Sequence, residues 1–248
     1  MKPLLLSLLV ASVTHAQIPT APGAELNLVA DGYKFTEGPA VDSKGDIYFT
    51  DQPNDRILKW TAATNKVEDF MKPAGRSNGL DIDRDGKLIA CADEKGQLWR
   101  IDPATQQVTV LLDNYNQKNL NGPNDVWVDP AGGMYFTDPF YKRGYWQGRD
   151  KPEQEKQRVF YLPKGAKGPL IADDNLVEPN GIIGSPDGKL LFVADIGAKK
   201  TYQYEIAKDA TRTQHQLFCE LGSDRITRDS AGNIYRGVIT KRQINRTL

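Results

Sequence analysis

Five residues with oxygen-bearing side chains recur in short phrases rich in glycine, proline or asparagine, and they are the main candidates for chemistry. They are Glu37 in Glu-Gly-Pro, Asn78 in Ser-Asn-Gly, Asn124 in Pro-Asn-Asp, Asn180 in Pro-Asn-Gly and Asp224 in Gly-Ser-Asp. Carboxylate and amide oxygens form a hard donor set that suits calcium. One such phrase is ordinary loop chemistry, but five at the same phase of a repeat favour a shared metal site.

The scarcity of histidine and cysteine argues against other chemistry. The chain has two histidines and two cysteines, which do not favour a Cys/His zinc site. A Ser-His-Asp triad would have to use His215. Cys91 and Cys219 either form a disulfide or remain two separate thiols, and the sequence leaves both alternatives open.

A second phrase, built around Asp-x-x-Gly, follows each candidate residue. Its aspartate caps backbone N–H groups and its glycine accepts a positive φ, so each copy predicts a tight turn. A short β-branched or aromatic run such as Ile-Tyr-Phe-Thr follows and predicts a buried strand. The turn glycines lie roughly 40 to 55 residues apart, as expected for the four-stranded blades of a propeller. They are Gly45, Gly86, Gly132, Gly188 and Gly232.

The repeat predicts an all-β protein, a β-propeller with about five blade repeats. Each candidate residue falls at the start of an innermost strand, and these strands line the central channel of a propeller. The five side chains should therefore converge on the axis. The fifth repeat has little chain beyond Arg236, which leads us to expect an incomplete last blade and a chain shortened at its C-terminus.

Composition and the N-terminus indicate the class of protein and its compartment. Residues 1–16 have a lysine, an apolar run and a small-residue cleavage site, which predict a signal peptide and export to the periplasm or the exterior. Residues 17–248 then form a single propeller domain. The chain has 32 basic and 32 acidic residues and no basic stripe, so a nucleic-acid partner is not expected. No second apolar segment is long enough to span a membrane, and we expect a monomer.

Several motifs in order resemble the SMP-30/gluconolactonase/LRE-like family. The resemblance extends from about residue 26 to residue 224. It is carried by Phe35-Thr36-Glu37-Gly38-Pro39, Ser77-Asn78-Gly79-Leu80, Pro123-Asn124-Asp125-Val126, Tyr135-Phe136-Thr137-Asp138-Pro139 and Pro179-Asn180-Gly181-Ile182. It implies a six-bladed propeller with a divalent metal, usually calcium, with Zn²⁺ or Mg²⁺ as alternatives. The implied metal ligands are Glu37, Asn124, Asn180 and Asp224, and Asn78 would line the substrate pocket.

The reaction that the resemblance implies is hydrolysis of a sugar lactone or a similar cyclic ester. The metal would polarise the carbonyl, and Asp224 would be both a ligand and the general base that activates water. In one alternative, Asp224 is a ligand only. In another, the chain is an exported, non-catalytic propeller that binds a sugar or protein through its channel.

The longest insertion between repeats, residues 138–158, is aromatic and cationic. It either contacts substrate, with Tyr141 and Trp146 as candidates and Asn124 beside them, or is a packed surface loop. Arg76, next to Ser77-Asn78, is a weaker pocket candidate.

The last repeat departs from the family pattern. Arg225 stands where the family has glycine, which adds a positive charge beside the proposed cation site. Arg228 and Arg236 replace apolar residues, and a charge inside a blade is costly.

Overall fold

The computed structural model describes residues 23, 25, 27–207 and 215–237. The predicted signal peptide, residues 1–16, lies outside them. Within the described residues, almost all regular structure is strand, and a three-residue 3-10 turn at Gln52–Asn54 is the one helical element. No helix in this part of the chain is long and apolar enough to cross a membrane.

The strands form four antiparallel sheets of four strands each, with spatial order equal to chain order. Blade 1 contains β1 (Thr36–Val41), β2 (Ile47–Asp51), β3 (Arg56–Thr61) and β4 (Lys66–Met71). Blade 2 contains β5 (Ser77–Ile82), β6 (Leu88–Ala92), β7 (Gln97–Ile101) and β8 (Val108–Leu112). A small ribbon follows, of β9 (Asn114–Tyr115) and β10 (Lys118–Asn119). Blade 3 contains β11 (Val126–Val128), β12 (Met134–Asp138), β13 (Arg158–Leu162) and β14 (Leu170–Asp173). Blade 4 contains β15 (Pro179–Gly184), β16 (Leu190–Asp195), β17 (Lys200–Glu205) and β18 (Gln216–Cys219). A final hairpin joins β19 (Arg225–Arg228) and β20 (Ile234–Gly237).

The prediction of an all-β propeller arrangement is confirmed, with four complete blades in the described part of the chain. The hairpin β19–β20 supplies the first two strands of the fifth repeat. The later residues of that repeat lie outside the description, so the expectations of six blades and of a shortened C-terminus stay predictions.

The turns between first and second strands form as the sequence predicts. All five turn glycines have positive φ, between 71° and 95°. In blade 1, Asp42 Oδ1 accepts the N–H groups of Lys44 (2.8 Å) and Asp46 (3.0 Å). In blade 4 the hydroxyl of Ser185 takes over this position and accepts the N–H of Leu190 at 2.9 Å. The same local chemistry therefore forms the turn that joins the first strand to the second in each repeat.

The apolar core lies between neighbouring blades. One cluster joins blades 1 and 2, a second joins blades 2 and 3, and a third joins blades 3 and 4. A smaller cluster of Phe192, Ala194 and Ile226 joins blade 4 to the final hairpin. Because each blade buries its faces against its neighbours, the first strands of successive blades lie side by side around one axis.

The environments of the two cysteines and of Arg228 and Arg236 differ from what the sequence led us to consider. Cys91 is buried and Cys219 half-buried, and both are free thiols, so the disulfide alternative is wrong. Arg228 and Arg236 are also only half-buried, and Arg236 Nη1 donates to Cys219 Sγ at 3.2 Å. Neither arginine is therefore a fully buried charge within the blade, in contrast to the expectation from the sequence.

Candidate functional site

The predicted site residues lie at irregularities in the first strands of the blades. The register of β1 with β2 shifts between Glu37 and Ala40, and that of β15 with β16 shifts between Pro179 and Ile182, around Asn180. The register of β5 with β6 shifts in the same way around Asn78, between Ser77 and Leu80. A bulge re-aims the side chains at its centre. The Asn-Gly and Glu-Gly phrases thus turn their polar residues out of the regular alternation of the strand.

Glycine lets these irregular segments approach one another closely. A side chain on Gly38 would clash with the backbone of Asn78, and one on Gly79 would clash with the backbone of Asn124. The N–H of Gly79 donates to the carbonyl of Asn124 at 2.7 Å, and that of Gly181 to the carbonyl of Ser223 at 3.4 Å. Backbone contacts therefore link the first strands of blades 1, 2 and 3, and separately link that of blade 4 to the final hairpin.

Two buried threonines connect two of the site residues, Asn78 and Asn180, to the preceding blade. Thr50 Oγ1 of blade 1 donates to the carbonyl of Asn78 in blade 2 at 3.0 Å. Thr137 Oγ1 of blade 3 donates to the carbonyl of Asn180 in blade 4 at 2.8 Å. Both threonines come from the Tyr-Phe-Thr strand phrase, so this phrase positions the site as well as filling the core.

Aspartates at the ends of second strands hold the segments that precede three of the site residues. Each accepts two consecutive backbone N–H groups, the second of them two residues before the site residue. Asp51 accepts from Lys34 and Phe35, ahead of Glu37. Asp138 accepts from Asn121 and Gly122, ahead of Asn124. Asp195 accepts from Val177 and Glu178, ahead of Asn180. These three aspartates were not identified as positioning residues from the sequence. They could have been found, because each occupies the same position in its repeat.

Glu37 lies in a field of other carboxylates. Burial raises its pKa to about 7, and the charges of Asp125 and Asp224 add to the rise, whereas Arg225 and the Gly38 N–H oppose it. The structure thus brings residues of blades 1 and 3 and of the final hairpin close enough to interact. Because the folded pKa is raised, Glu37 takes up a proton as the pH falls below about 7 and then loses its capacity as an anionic ligand.

Asn180 is the most informative member of the set. Its side chain is 3% exposed, and its Nδ2 donates to the hydroxyl of Tyr141 at 3.0 Å and to Asp224 Oδ1 at 3.4 Å. Its Oδ1 is buried and has no hydrogen-bond partner within the described structure. A buried acceptor without a donor is costly and points to a missing ligand. The structure therefore brings Asn180, Asp224 and Tyr141 together.

Arg225 lies across the channel. Its Nη1 pairs with Asp125 Oδ1, and its Nη2 donates to the carbonyls of Pro39 (3.2 Å) and Leu80 (3.3 Å). The residue that departs from the family pattern thus joins blades 1, 2 and 3 to the final hairpin. Its charge is compensated by a carboxylate that the sequence analysis had not assigned.

The loop at 138–158 is fixed to blade 2 by hydrogen bonds. Asp93 Oδ2 accepts from Arg143 Nε (3.2 Å) and from the hydroxyl of Tyr145. The Trp146 indole N–H donates to the Asp93 carbonyl at 3.1 Å, and the Arg149 guanidinium lies 4.0 Å from the Trp146 ring centroid. The loop is therefore packed against blade 2 beside the site. The hydroxyl of Tyr141, in this loop, accepts a hydrogen bond from Asn180 Nδ2.

The remaining predicted residues are Asn78, Asn124 and Arg76. Asn78 and Asn124 are 4% and 6% exposed at the heads of their strands. The guanidinium of Arg76 lies 4.3 Å from the Tyr145 ring centroid, and its Nη1 donates to the Pro53 carbonyl at 2.9 Å. These contacts hold Arg76 against the loop; its role in substrate binding, like that of Trp146, stays a prediction.

Comparison with known proteins gives a consistent picture. The sequence model described as SMP-30/Gluconolactonase/LRE-like region matches residues 35–247. A gluconolactonase of Zymomonas mobilis is 29% identical over 223 residues, which make up 84% of this chain and 62% of that protein. A lactonohydrolase oryL of Aspergillus oryzae is 34% identical over 101 residues, 41% of this chain and 23% of that protein. The chain thus spans less than two thirds of the length of either relative.

The same likeness holds at the level of structure. A solved gluconolactonase from Xanthomonas campestris superposes with a TM-score of 0.78 at 25% identity, covering 84% of this chain and 71% of that one.

Proposed function

Because the chain belongs to the SMP-30/gluconolactonase/LRE-like family, we propose that it is a calcium-dependent hydrolase that opens a sugar lactone such as gluconolactone. The observation that carries the proposal is the pairing of Asn180 with Asp224 at the heads of blade 4 and of the final hairpin. The similarity to a gluconolactonase supports the reaction class. Export through the segment at residues 1–16 is part of the proposal and rests on the sequence alone.

The residues present fit a calcium ion. Glu37, Asn124, Asn180 and Asp224 offer two carboxylates and two amides, all oxygen donors, whose summed charge balances a divalent cation. The unpaired, buried Oδ1 of Asn180 is the acceptor that such an ion would satisfy. Among the described residues, no three of the types His, Cys, Asp and Glu cluster tightly enough to hold a metal, and the proposed set depends on its two amides. Zn²⁺, which favours nitrogen and sulfur ligands, fits the set less well.

When calcium is bound at these residues, it supplies Lewis-acid polarisation of the lactone carbonyl. Asp224 takes a proton from a water molecule as that water's oxygen forms a bond to the carbonyl carbon. The ring C–O bond then breaks, and the proton passes from Asp224 to the leaving ring oxygen, which yields the open hydroxy acid. Tyr141, whose hydroxyl accepts from Asn180 Nδ2, and Asn78 are proposed to bind the substrate.

The test compares lactone hydrolysis in the wild type, in Asp224→Asn and in Asp113→Asn. Asp224→Asn should lower kcat by at least about a hundredfold, because the amide cannot take the proton. Asp113 is exposed at the end of β8, and its variant should retain wild-type kcat. Unchanged turnover in Asp224→Asn would refute the assignment of the general base.

Metal removal tests the calcium requirement independently. Dialysis against a chelator should abolish hydrolysis, and added calcium should restore it. Activity that survives chelation would overturn the calcium mechanism. Tight calcium binding by a protein that opens no lactone would instead favour the exported, non-catalytic binding protein.

A further inference from the structure

The orientation of the Asn180 amide demands an explanation. The nitrogen makes both of the hydrogen bonds of this side chain in the described structure, while the oxygen is buried without a donor. Rotating the amide by half a turn would offer the oxygen to the Tyr141 hydroxyl, which is able to donate. Something in the surroundings must therefore prevent that rotation and keep the oxygen unpaired.

The carboxylate of Asp224 opposes that rotation. Its Oδ1 lies 3.4 Å from Asn180 Nδ2, and a carboxylate oxygen accepts hydrogen bonds. A rotated amide would place its own oxygen, also an acceptor, against this carboxylate. The nitrogen therefore faces Asp224, and the hydroxyl oxygen of Tyr141 accepts from the same nitrogen at 3.0 Å.

The segment that leads into Asn180 and the ring of Tyr141 are both held in place. Asp195 Oδ1 accepts the backbone N–H of Glu178 at 2.9 Å. The Arg143 guanidinium lies 5.1 Å from the Tyr141 ring centroid and is anchored by Asp93. The geometry is thus fixed from both the strand and the loop, as expected of groups that orient a metal ligand.

We propose that Tyr141 is a positioning residue that, together with Asp224, fixes the Asn180 amide with its oxygen free for a cation. The inference deepens the proposed function and rests on it as far as the cation is concerned. It assigns to the loop at 138–158 a role in preparing the metal site, in addition to any contact with substrate.

The experiment uses Tyr141→Phe, which removes the hydroxyl and keeps the ring beneath Arg143. Calcium affinity is measured by titration calorimetry on the metal-free protein, and Tyr141→Phe should raise the calcium Kd about tenfold or more. Tyr145→Phe is the matched control, since its hydroxyl lies on the same loop but bonds to Asp93. Its calcium Kd should stay within about twofold of the wild type. An equal loss of affinity in both variants would overturn the proposal, because it would show general loosening of the loop.

A second measurement needs no metal. The side-chain amide signals of Asn180 are recorded by NMR on the metal-free, ¹⁵N-labelled protein and assigned through their loss in Asn180→Ser. Tyr141→Phe should shift these signals and remove their contacts to the aromatic protons of residue 141, while Tyr145→Phe leaves the signals unmoved. Unmoved Asn180 signals in Tyr141→Phe would overturn the positioning role. A wild-type protein that binds no calcium would instead overturn the proposed function, and the metal-free signals would still decide the role of Tyr141.

Discussion

At the scale of single residues, Arg225 has a central effect on the balance of charges in the channel. A cation at this position was expected to disfavour a metal site. The structure shows a different balance, because Asp125 compensates the guanidinium and because the same positive charge opposes the rise in the pKa of Glu37. Arg225 therefore helps to keep a candidate ligand ionised. It also ties the final hairpin to blades 1, 2 and 3 through carbonyls and a carboxylate that are distant in sequence.

This pairing predicts a coupled effect on stability. Arg225→Met leaves the buried Asp125 carboxylate without its ion-pair partner and should cost about 3 kcal/mol, or roughly 5 to 10 °C in Tm. Adding Asp125→Asn removes the unpaired charge, so the double variant should regain much of that loss. Arg84→Met, in an exposed turn, is the control and should leave Tm unchanged.

The effect of Arg225→Met should depend on pH in a defined direction. Burial already raises the pKa of Asp125 to about 6 while Arg225 opposes the rise, so in the variant the pKa is higher still. A raised folded-state pKa favours the folded state as the pH falls. The loss of Tm should therefore be larger at pH 8 than at pH 5. Equal losses at the two pH values, with no recovery in the double variant, would contradict the ion pair.

At the scale of the strand and loop, the aspartate at the end of the second strand of each blade performs one of two tasks: it holds the segment before a site residue, or it anchors a loop. Asp51, Asp138 and Asp195 each clamp the two N–H groups that lead into a site residue. In blade 2, Asp55 accepts the N–H groups of Ala74 and Arg76 instead. Because Asp55 accepts these N–H groups, Asp93 is available to accept hydrogen bonds from Arg143 and Tyr145 of the loop at 138–158. The same residue type at the same phase of the repeat thus serves the strand in three blades and the loop in one.

Hydrogen exchange can separate the two tasks. Asp195→Asn should accelerate exchange at the Val177 and Glu178 amides by roughly tenfold to a hundredfold, the value of a hydrogen bond to a charged acceptor. Asp93→Asn should leave those two amides unchanged and accelerate exchange in residues 138–158. Faster exchange at Val177 and Glu178 in Asp93→Asn would show that the division of tasks is wrong.

The sequence predicts these elements only in part, for a physical reason. Turns and strands follow from local chemistry, so Asp42 with Gly45 and the Tyr-Phe-Thr runs could be recognised directly. The exchange of roles between Asp55 and Asp93 could not, because it depends on which carboxylate the folded chain brings nearer to an N–H group. The contact of Tyr141 with Asn180 joins a loop without periodicity to a strand, and no repeat phase indicates it.

At the scale of the whole molecule, the site depends on how closely the blades pack. The repeat phase was sufficient to predict that the first strands converge, since each blade must bury both faces. It does not predict the spacing, which is set by individual contacts between blades. Between blades 3 and 4, the Trp127 ring lies directly against Gly184, and Trp127 is only 7% exposed. This contact sets the separation of the strands that carry Asn124 and Asn180.

A methyl group at this interface should disturb both stability and the site. The side chain of Gly184→Ala would overlap the buried Trp127 ring, and overpacking of this kind costs about 1 to 3 kcal/mol. For a domain of this size, Tm should fall by roughly 3 to 10 °C, and calcium affinity should weaken because Asn180 moves relative to Asn124. Gly168→Ala is the matched control, since a side chain there meets open space, and its Tm and calcium affinity should equal those of the wild type. If Gly184→Ala melted at the wild-type temperature, the spacing of blades 3 and 4 would have to be set elsewhere. If it lost stability but retained full calcium affinity, Asn124 and Asn180 would not bind the same ion.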